Sequence, residues 1–127
     1  MSRAETGRIG EETSVWYLEK HGYSVLDRNV HARHGEIDVI AENEDFLCFV
    51  EVKTRRHDAV VSPAEAVDHK KQQRIVLTAQ QYLQAHPTTK QPRFDVFEVL
   101  TGEDGRPKQV RLLESAFDGA CIDGLYY

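Results

Sequence analysis

Two short segments, Glu36–Ala41 and Phe46–Thr54, constrain the fold more than any other feature, because both alternate apolar with polar residues and are rich in Val, Ile and Phe. Glu42, Asn43, Glu44 and Asp45 stand between them. Alternating runs joined so briefly read as a β-hairpin, here with residues 42–45 as the connection. Counting outward from that turn pairs Ala41 with Phe46, Asp38 with Phe49 and Glu36 with Glu51. Side chains alternate faces along a strand, so Glu51 and Lys53 point the same way. Asp38 and Glu51 become diagonal neighbours on one face, within roughly 7–8 Å. A register change of one residue would place the two carboxylates on opposite faces.

The remaining segments surround that hairpin. Ser2-Arg3-Ala4-Glu5 reads as a capping box opening a helix that runs to about His21, with Gly22 as its stop. Gly7 and Gly10 inside it cost roughly 1 kcal/mol each relative to alanine and predict loose first turns. Tyr23–Asn29 is a first strand, and Arg55–Val61 reads as a polar loop. Ser62-Pro63-Ala64-Glu65 combines a capping serine, a first-turn proline and a glutamate, so a second helix is expected from there until Pro87 forbids it. Arg93–Leu100 is apolar on both faces, Phe94, Val96 and Leu100 against Phe97 and Val99, as a strand covered on both sides would be. Gly102–Gly105 makes a turn and Gln109–Leu113 a final strand. The order is helix, three strands, helix, strand, then a C-terminal appendage. The strand–helix–strand step after residue 53 implies a right-handed crossover and a parallel pairing. The class is α/β: a single domain over residues 1–127 with a mixed sheet flanked by helices.

Composition excludes several classes. With 40% hydrophobic and 29% charged residues, the chain is an ordinary globular protein rather than a disordered one. No apolar run approaches the ~20 residues needed to span a bilayer. The N-terminal residues carry no apolar segment of a secretory signal. Cys48 and Cys121 fit no metal or redox spacing, which suggests reduced thiols in a cytoplasmic protein. The net charge of −5 does not advertise nucleic-acid binding, but the charge is uneven. Between Lys53 and Arg74 stand six basic residues (Lys53, Arg55, Arg56, Lys70, Lys71, Arg74) against three acidic ones (Asp58, Glu65, Asp68). That window is +3 and the rest of the chain −8, which favours a nucleic-acid partner.

The carboxylate pair and its lysine suit phosphodiester chemistry. Mg²⁺ prefers oxygen ligands, keeps several waters and is usually held by one or two carboxylates plus substrate phosphate. Such an ion lowers the pKa of bound water and neutralises charge developing at phosphorus. Lys53, two residues from Glu51, can orient the attacking water or stabilise the equatorial oxygens. Arg55 lies one step further along the same face, placed for a phosphate contact. Glu11, if helical, shares a stripe with Val15, Leu18 and Gly22, so a carboxylate lies on a partly apolar face. Lys71 falls on the helix face that Ile75, Ala79 and Leu83 bury, where a cation needs a partner or a substrate.

These residues resemble a specific group. Asp38 followed by Glu51-Val52-Lys53 looks like the PD-(D/E)XK motif of restriction-endonuclease-like nucleases and archaeal Holliday-junction resolvases. More closely, Gly7-Arg8-Ile9-Gly10-Glu11, Gly22-Tyr23, Arg28-Asn29, Gly35-Glu36-Ile37-Asp38, Phe49 to Arg55, Lys71, Arg93 to Val96 and Ala116-Phe117 resemble the YraN-like family of small bacterial proteins over essentially the full length. The resemblance implies a restriction-endonuclease-like core and a Mg²⁺- or Mn²⁺-dependent endonuclease, with branched or damaged DNA as substrate. Asp38 and Glu51 would be the metal carboxylates, the Val52 carbonyl a further ligand, and Lys53 the catalytic lysine. Glu11 would be the helix-borne acid, reaching a second ion or its water shell. Residue 37 is isoleucine, so no proline precedes Asp38. A resolvase would be a homodimer, in order to cut two strands symmetrically.

Plainer readings stand beside these. Asp38, Glu51 and Lys53 could form a cross-strand ion pair on a solvated face. Glu12 is as charged as Glu11. Arg55, Arg56 and Lys70 could be a solvated basic rim, which still suffices to steer phosphate. His31 and His34 invite a zinc reading, but no further ligands follow at suitable spacing. Trp16 and Tyr17 read as core or boundary aromatics, and Arg93-Phe94-Asp95 as a structural tie. A non-catalytic nucleic-acid-binding or adaptor protein that keeps the fold is the alternative function.

Overall fold

The computed structural model of the chain describes residues 2–58 and 67–119. They form two helices and five strands in the order α1 (Arg3–Lys20), β1 (Ser24–Ala32), β2 (Gly35–Glu42), β3 (Phe46–Arg56), α2 (His69–Ala85), β4 (Gln91–Thr101) and β5 (Pro107–Phe117). The strands lie in one sheet in sequence order, antiparallel except for the parallel β3–β4 pair that α2 connects. This α/β mixed sheet is compatible with a restriction-endonuclease-like core. Among the described residues no helix is long and apolar enough to cross a membrane.

The sheet has an apolar layer on each face. Ile40, Leu47, Phe49, Phe94 and Val96 pack with Ile75, Val76, Ala79 and Tyr82 of α2. Val39, Ala41, Cys48, Val50, Phe97 and Val99 pack with Leu18 of α1. Burial on both faces explains why β3 and β4 read as nearly continuous apolar runs. Burial also pushes the Cys48 thiol up to about 12, with Asp95 adding to the shift, so this cysteine stays protonated. Cys121 lies outside the described residues.

Local signals place the helices. The Ser2 hydroxyl accepts the Glu5 N–H at 3.1 Å and caps α1, which is helical from its first turn despite Gly7 and Gly10. Gly22, at φ +86°, ends it. Trp16 is 60% exposed, so it is not a core residue as its size suggests. α2 departs from the sequence reading. Its N-cap is Asp68, in extended conformation and accepting the Lys71 N–H, so the helix begins at His69 and does not run unbroken from Ser62. The proposed start at Ser62–Glu65 lies outside the described residues. Arg55 and Arg56, read as loop, extend β3 because β4 continues beside them as far as Thr101. The expected short final strand is an eleven-residue β5 that completes the sheet.

The β2–β3 register also differs from the count made outward from the turn. Val39 pairs with Val50, Ile40 with Phe49 and Glu42 with Leu47. The physical reason is a tighter turn: the Asn43 N–H donates to the Phe46 carbonyl at 3.1 Å, and the Asn43 side chain accepts the Asp45 and Phe46 N–H groups. Each expected pair shifts by two residues, an even number, so the faces hold over the paired residues 39–42 and 47–50. Beyond them alternation fails: Ile37 joins Ile40 in the core against α2, and Asp38 lines the cleft on the α1 side instead of sharing a face with Glu51.

Gly10 shows how closely α1 approaches the sheet. A Cβ at this position would collide with the Thr54 hydroxyl of β3. Gly10→Ala should therefore lower stability by about 1–2 kcal/mol, overpacking outweighing the gain in helix propensity. The loss should largely vanish in a Thr54→Ala background. Urea denaturation of the single and double variants checks this, and a penalty that persists without the hydroxyl would contradict the packing account.

Candidate active site

The site forms where the sheet forks. β2 and β3 pair only as far as Val39 and Val50, whereas β2 stays paired with β1 to Gly35 and β3 stays paired with β4 to Arg56. Continuing the register would set Asp38 opposite Glu51, but the ladder ends one residue short of that pair. In place of the next ladder bond, the Asp38 Oδ2 accepts the Val52 N–H at 2.8 Å. Side chains from both faces can therefore meet at one opening.

On the α1 side, Arg3, Gly7, Glu11, Asp38, Val52 and Lys53 line a cleft of about 520 Å³. On the α2 side, Glu51 is only 5% exposed, with its Oε1 3.8 Å from Lys53 Nζ and 3.5 Å from Lys71 Nζ. Its other oxygen, Oε2, is buried without a hydrogen-bond partner among the described residues. A buried carboxylate oxygen left unpaired is costly. Burial first, then the neighbouring Asp38 charge, push Glu51 up to about 7, against the pull of Lys71 and Lys53. Asp38 is raised too, mainly by burial and further by Glu36 and Glu11, while the Val52 N–H and Lys71 oppose the shift. Two facing carboxylates, both resisting ionisation, make a place where a cation would be welcome.

The donor set distinguishes among cations. No group of three or more His, Cys, Asp or Glu among the described residues is arranged to hold a metal. Zinc sites need three or four such ligands, whereas Mg²⁺ takes one or two carboxylates and completes its shell with water and phosphate. Asp38 and Glu51 fit the second pattern, and the orphaned Glu51 oxygen is the atom that such an ion would satisfy. His31 instead lies 3.3 Å from Glu36 on the exposed end of the β1–β2 hairpin.

The other sequence candidates divide. Glu11 reaches the cleft with a side chain 16% exposed, and Glu12 points outward at 60%. Arg28 (3.1 Å) and Asn29 (2.8 Å) hold the Glu11 carboxylate. Sequence reasoning gave these two no role. Asn29 sits at φ +51°, a conformation asparagine tolerates better than most residues, and that tolerance was a usable signal. Lys71 joins Glu51 as its place on the buried stripe suggested. Arg55 is half-buried, with Nε unpaired among the described residues. Arg56 pairs with Asp58 at 3.5 Å in solvent, and Lys70 is exposed. Glu98 was also missed. This buried residue is the register partner of Lys53 and pairs with Arg111 at 3.1 Å. Its signal was a charge interrupting the apolar face of Val96 and Leu100. Arg93 is the structural tie expected, bidentate to Asp95 and donating to the Tyr23 hydroxyl at 2.7 Å.

A sequence profile of the Uncharacterised protein family UPF0102 matches residues 10–99. Similar curated proteins carry the same family designation. A UPF0102 protein of Symbiobacterium thermophilum is 45% identical over 118 residues, covering 92% of this chain and 98% of the relative. Those of Parabacteroides distasonis and Dictyoglomus thermophilum are 43% and 39% identical, covering 95% and 100% of the relatives and 92% of this chain in each case.

The Glu51 environment has a measurable consequence. Its folded-state pKa of about 7 stands above the ordinary 4.5, so folding takes up a proton between those values. The stability this gives is complete below the lower value and is lost as pH rises through the upper one. Glu51→Gln, neutral throughout, should exceed the native protein in stability at about pH 8 by on the order of 2 kcal/mol. The advantage should shrink toward zero as the pH falls to about 4.5. Urea denaturation at both pH values checks this, and a pH-independent difference would contradict the burial argument.

Proposed function

The chain belongs to the UPF0102 family, and we propose that it is a PD-(D/E)XK-type endonuclease, dependent on Mg²⁺ or Mn²⁺, that hydrolyses nucleic-acid phosphodiester bonds. The observation that carries this reading is the buried, unpartnered Glu51 oxygen, with Lys53 and Lys71 beside its carboxylate and the Asp38 charge near enough to act on it. A cross-strand ion pair on a solvated face would bury neither carboxylate and leave no oxygen orphaned. The resemblance to resolvases supports branched or damaged DNA as substrate, and symmetric cutting of a junction would call for two copies of the chain.

Asp38 and Glu51 would hold the ion, with the Val52 carbonyl beside them. The metal, when bound, supplies charge neutralisation and a more acidic water. The protein's own groups do the positioning. Lys53 and Lys71 present ammonium groups to the non-bridging oxygens of a phosphate over Glu51, where developing charge needs donors already in place. Glu11, held by Arg28 and Asn29, lines the cleft beside Asp38 and would reach a second ion or its water shell. Its orientation is thus set before substrate arrives.

The overall charge of −5 favours the rival reading, an adaptor that kept the fold without the reaction. Cleavage separates the two. Labelled four-way junction, flap, single-stranded and duplex DNA should be cut with Mg²⁺ or Mn²⁺. Asp38→Asn and Lys53→Ala should each slow cutting by about a hundredfold or more. No cutting of any substrate, with oligonucleotide binding unchanged in both variants, would leave the adaptor.

A further inference from the structure

A second concavity concentrates positive charge beside the carboxylates. The turn Arg33–His34 joins β1 to β2 and stands against α2, enclosing a cleft of about 420 Å³ lined by His31, Arg33, His34, Glu36, Lys71 and Arg74. Arg33, Lys71 and Arg74 bring three permanent cations to one carboxylate, Glu36, which already pairs with His31. In a chain of net charge −5 this is a strong local reversal.

Two features make the cleft a formed site rather than scattered surface charge. Gly35 lets the hairpin end close on the helix: a Cβ there would come within 3.2 Å of the Arg74 Cβ, tighter than ordinary packing. The missing side chain at Gly35 therefore lets the turn lie close against Arg74 and Thr78 of α2. The cleft also adjoins the carboxylate site: Lys71 lines it and places Nζ 3.5 Å from Glu51. A ligand filling both places must carry negative charge at repeated intervals along an extended chain, the chemistry of a nucleic-acid backbone.

We infer that this cleft holds the phosphates adjoining the one placed at Asp38 and Glu51, with Arg33 and Arg74 as backbone contacts on one strand. The inference rests on the nuclease reading for the position of that first phosphate. Contacts of this kind fix register and orientation and carry no sequence information. Recognition through the cleft is accordingly sequence-independent and strongly salt-dependent.

The test is fluorescence anisotropy of labelled single-stranded and duplex oligonucleotides, without divalent metal, across a salt series. Arg33→Ala/Arg74→Ala should bind about tenfold or more weakly, and the slope of log affinity against log salt should shrink by about 1–2. Arg33→Lys/Arg74→Lys should recover most of the affinity, since a point charge still meets phosphate. Arg33→Glu alone, in an exposed turn, should weaken binding in the same direction should the double variant fold poorly. Native affinity and slope in the alanine variant would overturn the inference, as would failure of every oligonucleotide to bind the native protein. The outcomes separate from those of the nuclease reading. Cleft-dependent binding without metal-dependent cutting would keep the cleft and remove the enzyme. Cutting whose KM is unmoved by the alanine variant would do the reverse.

Discussion

The candidate site depends on one hydrogen bond at the point where the sheet divides. Up to Val39 and Val50, β2 and β3 are an ordinary antiparallel ladder. Beyond it the Asp38 carboxylate takes the Val52 N–H that a strand neighbour would otherwise satisfy, at 2.8 Å. A buried N–H must be paired, so the strands can part only because a side chain stands in for the missing backbone. The consequence is topological. Across an intact sheet, a cleft on the α1 side and a cluster on the α2 side would be separate. At the fork Lys53 belongs to both, lining the cleft with Glu11 and Asp38 and standing 3.8 Å from Glu51.

The helices seat against the sheet near that opening where two glycines leave room for a neighbouring side chain. Gly10 brings α1 onto Thr54 of β3, and Gly35 brings the hairpin end onto Arg74 of α2. Both glycines lie within a few residues of a site carboxylate, so the packing that seats each helix also aims the chemistry. The carboxylates themselves oppose the fold. Burial raises Asp38 and Glu51, each charge disfavours the other, and one Glu51 oxygen is unpaired among the described residues. Arg93 and Asp95, both buried, differ in joining through three hydrogen bonds, with Tyr23 and the Ser115 N–H as further partners. That contrast separates a structural ion pair from the proposed cation site.

Much of this was legible in the residues. Alternation in Glu36–Ala41 and Phe46–Thr54 placed the hairpin, and period-two geometry put Glu51 and Lys53 on one face. The helical stripe placed Lys71 inward, where it meets Glu51. The register differs by two residues because the Asn43 side chain tightens the turn, and Asp38 leaves the face that strict alternation assigns it, lining the cleft on the α1 side where the strands part. Other features came from tertiary context. The fork could not be read, since nothing in a strand's composition says where its neighbour departs. Arg28 and Asn29 were visible only as residues matching a family, because their partner lies on a different element. The start of α2 at Asp68 was masked by a stronger local capping signal upstream at Ser62. Glu98 was overlooked because the apolar residues around it drew the reading toward core.

The central claim is that Asp38 and Glu51 form a divalent-cation site, and calorimetric titration with Mn²⁺ at about pH 7 tests it most directly. Binding should release protons from the raised carboxyls, so the measured enthalpy should vary with the ionisation enthalpy of the buffer. Asp38→Asn and Glu51→Gln should abolish the binding. No heat of binding in the native protein, or binding that survives both substitutions, would contradict the account.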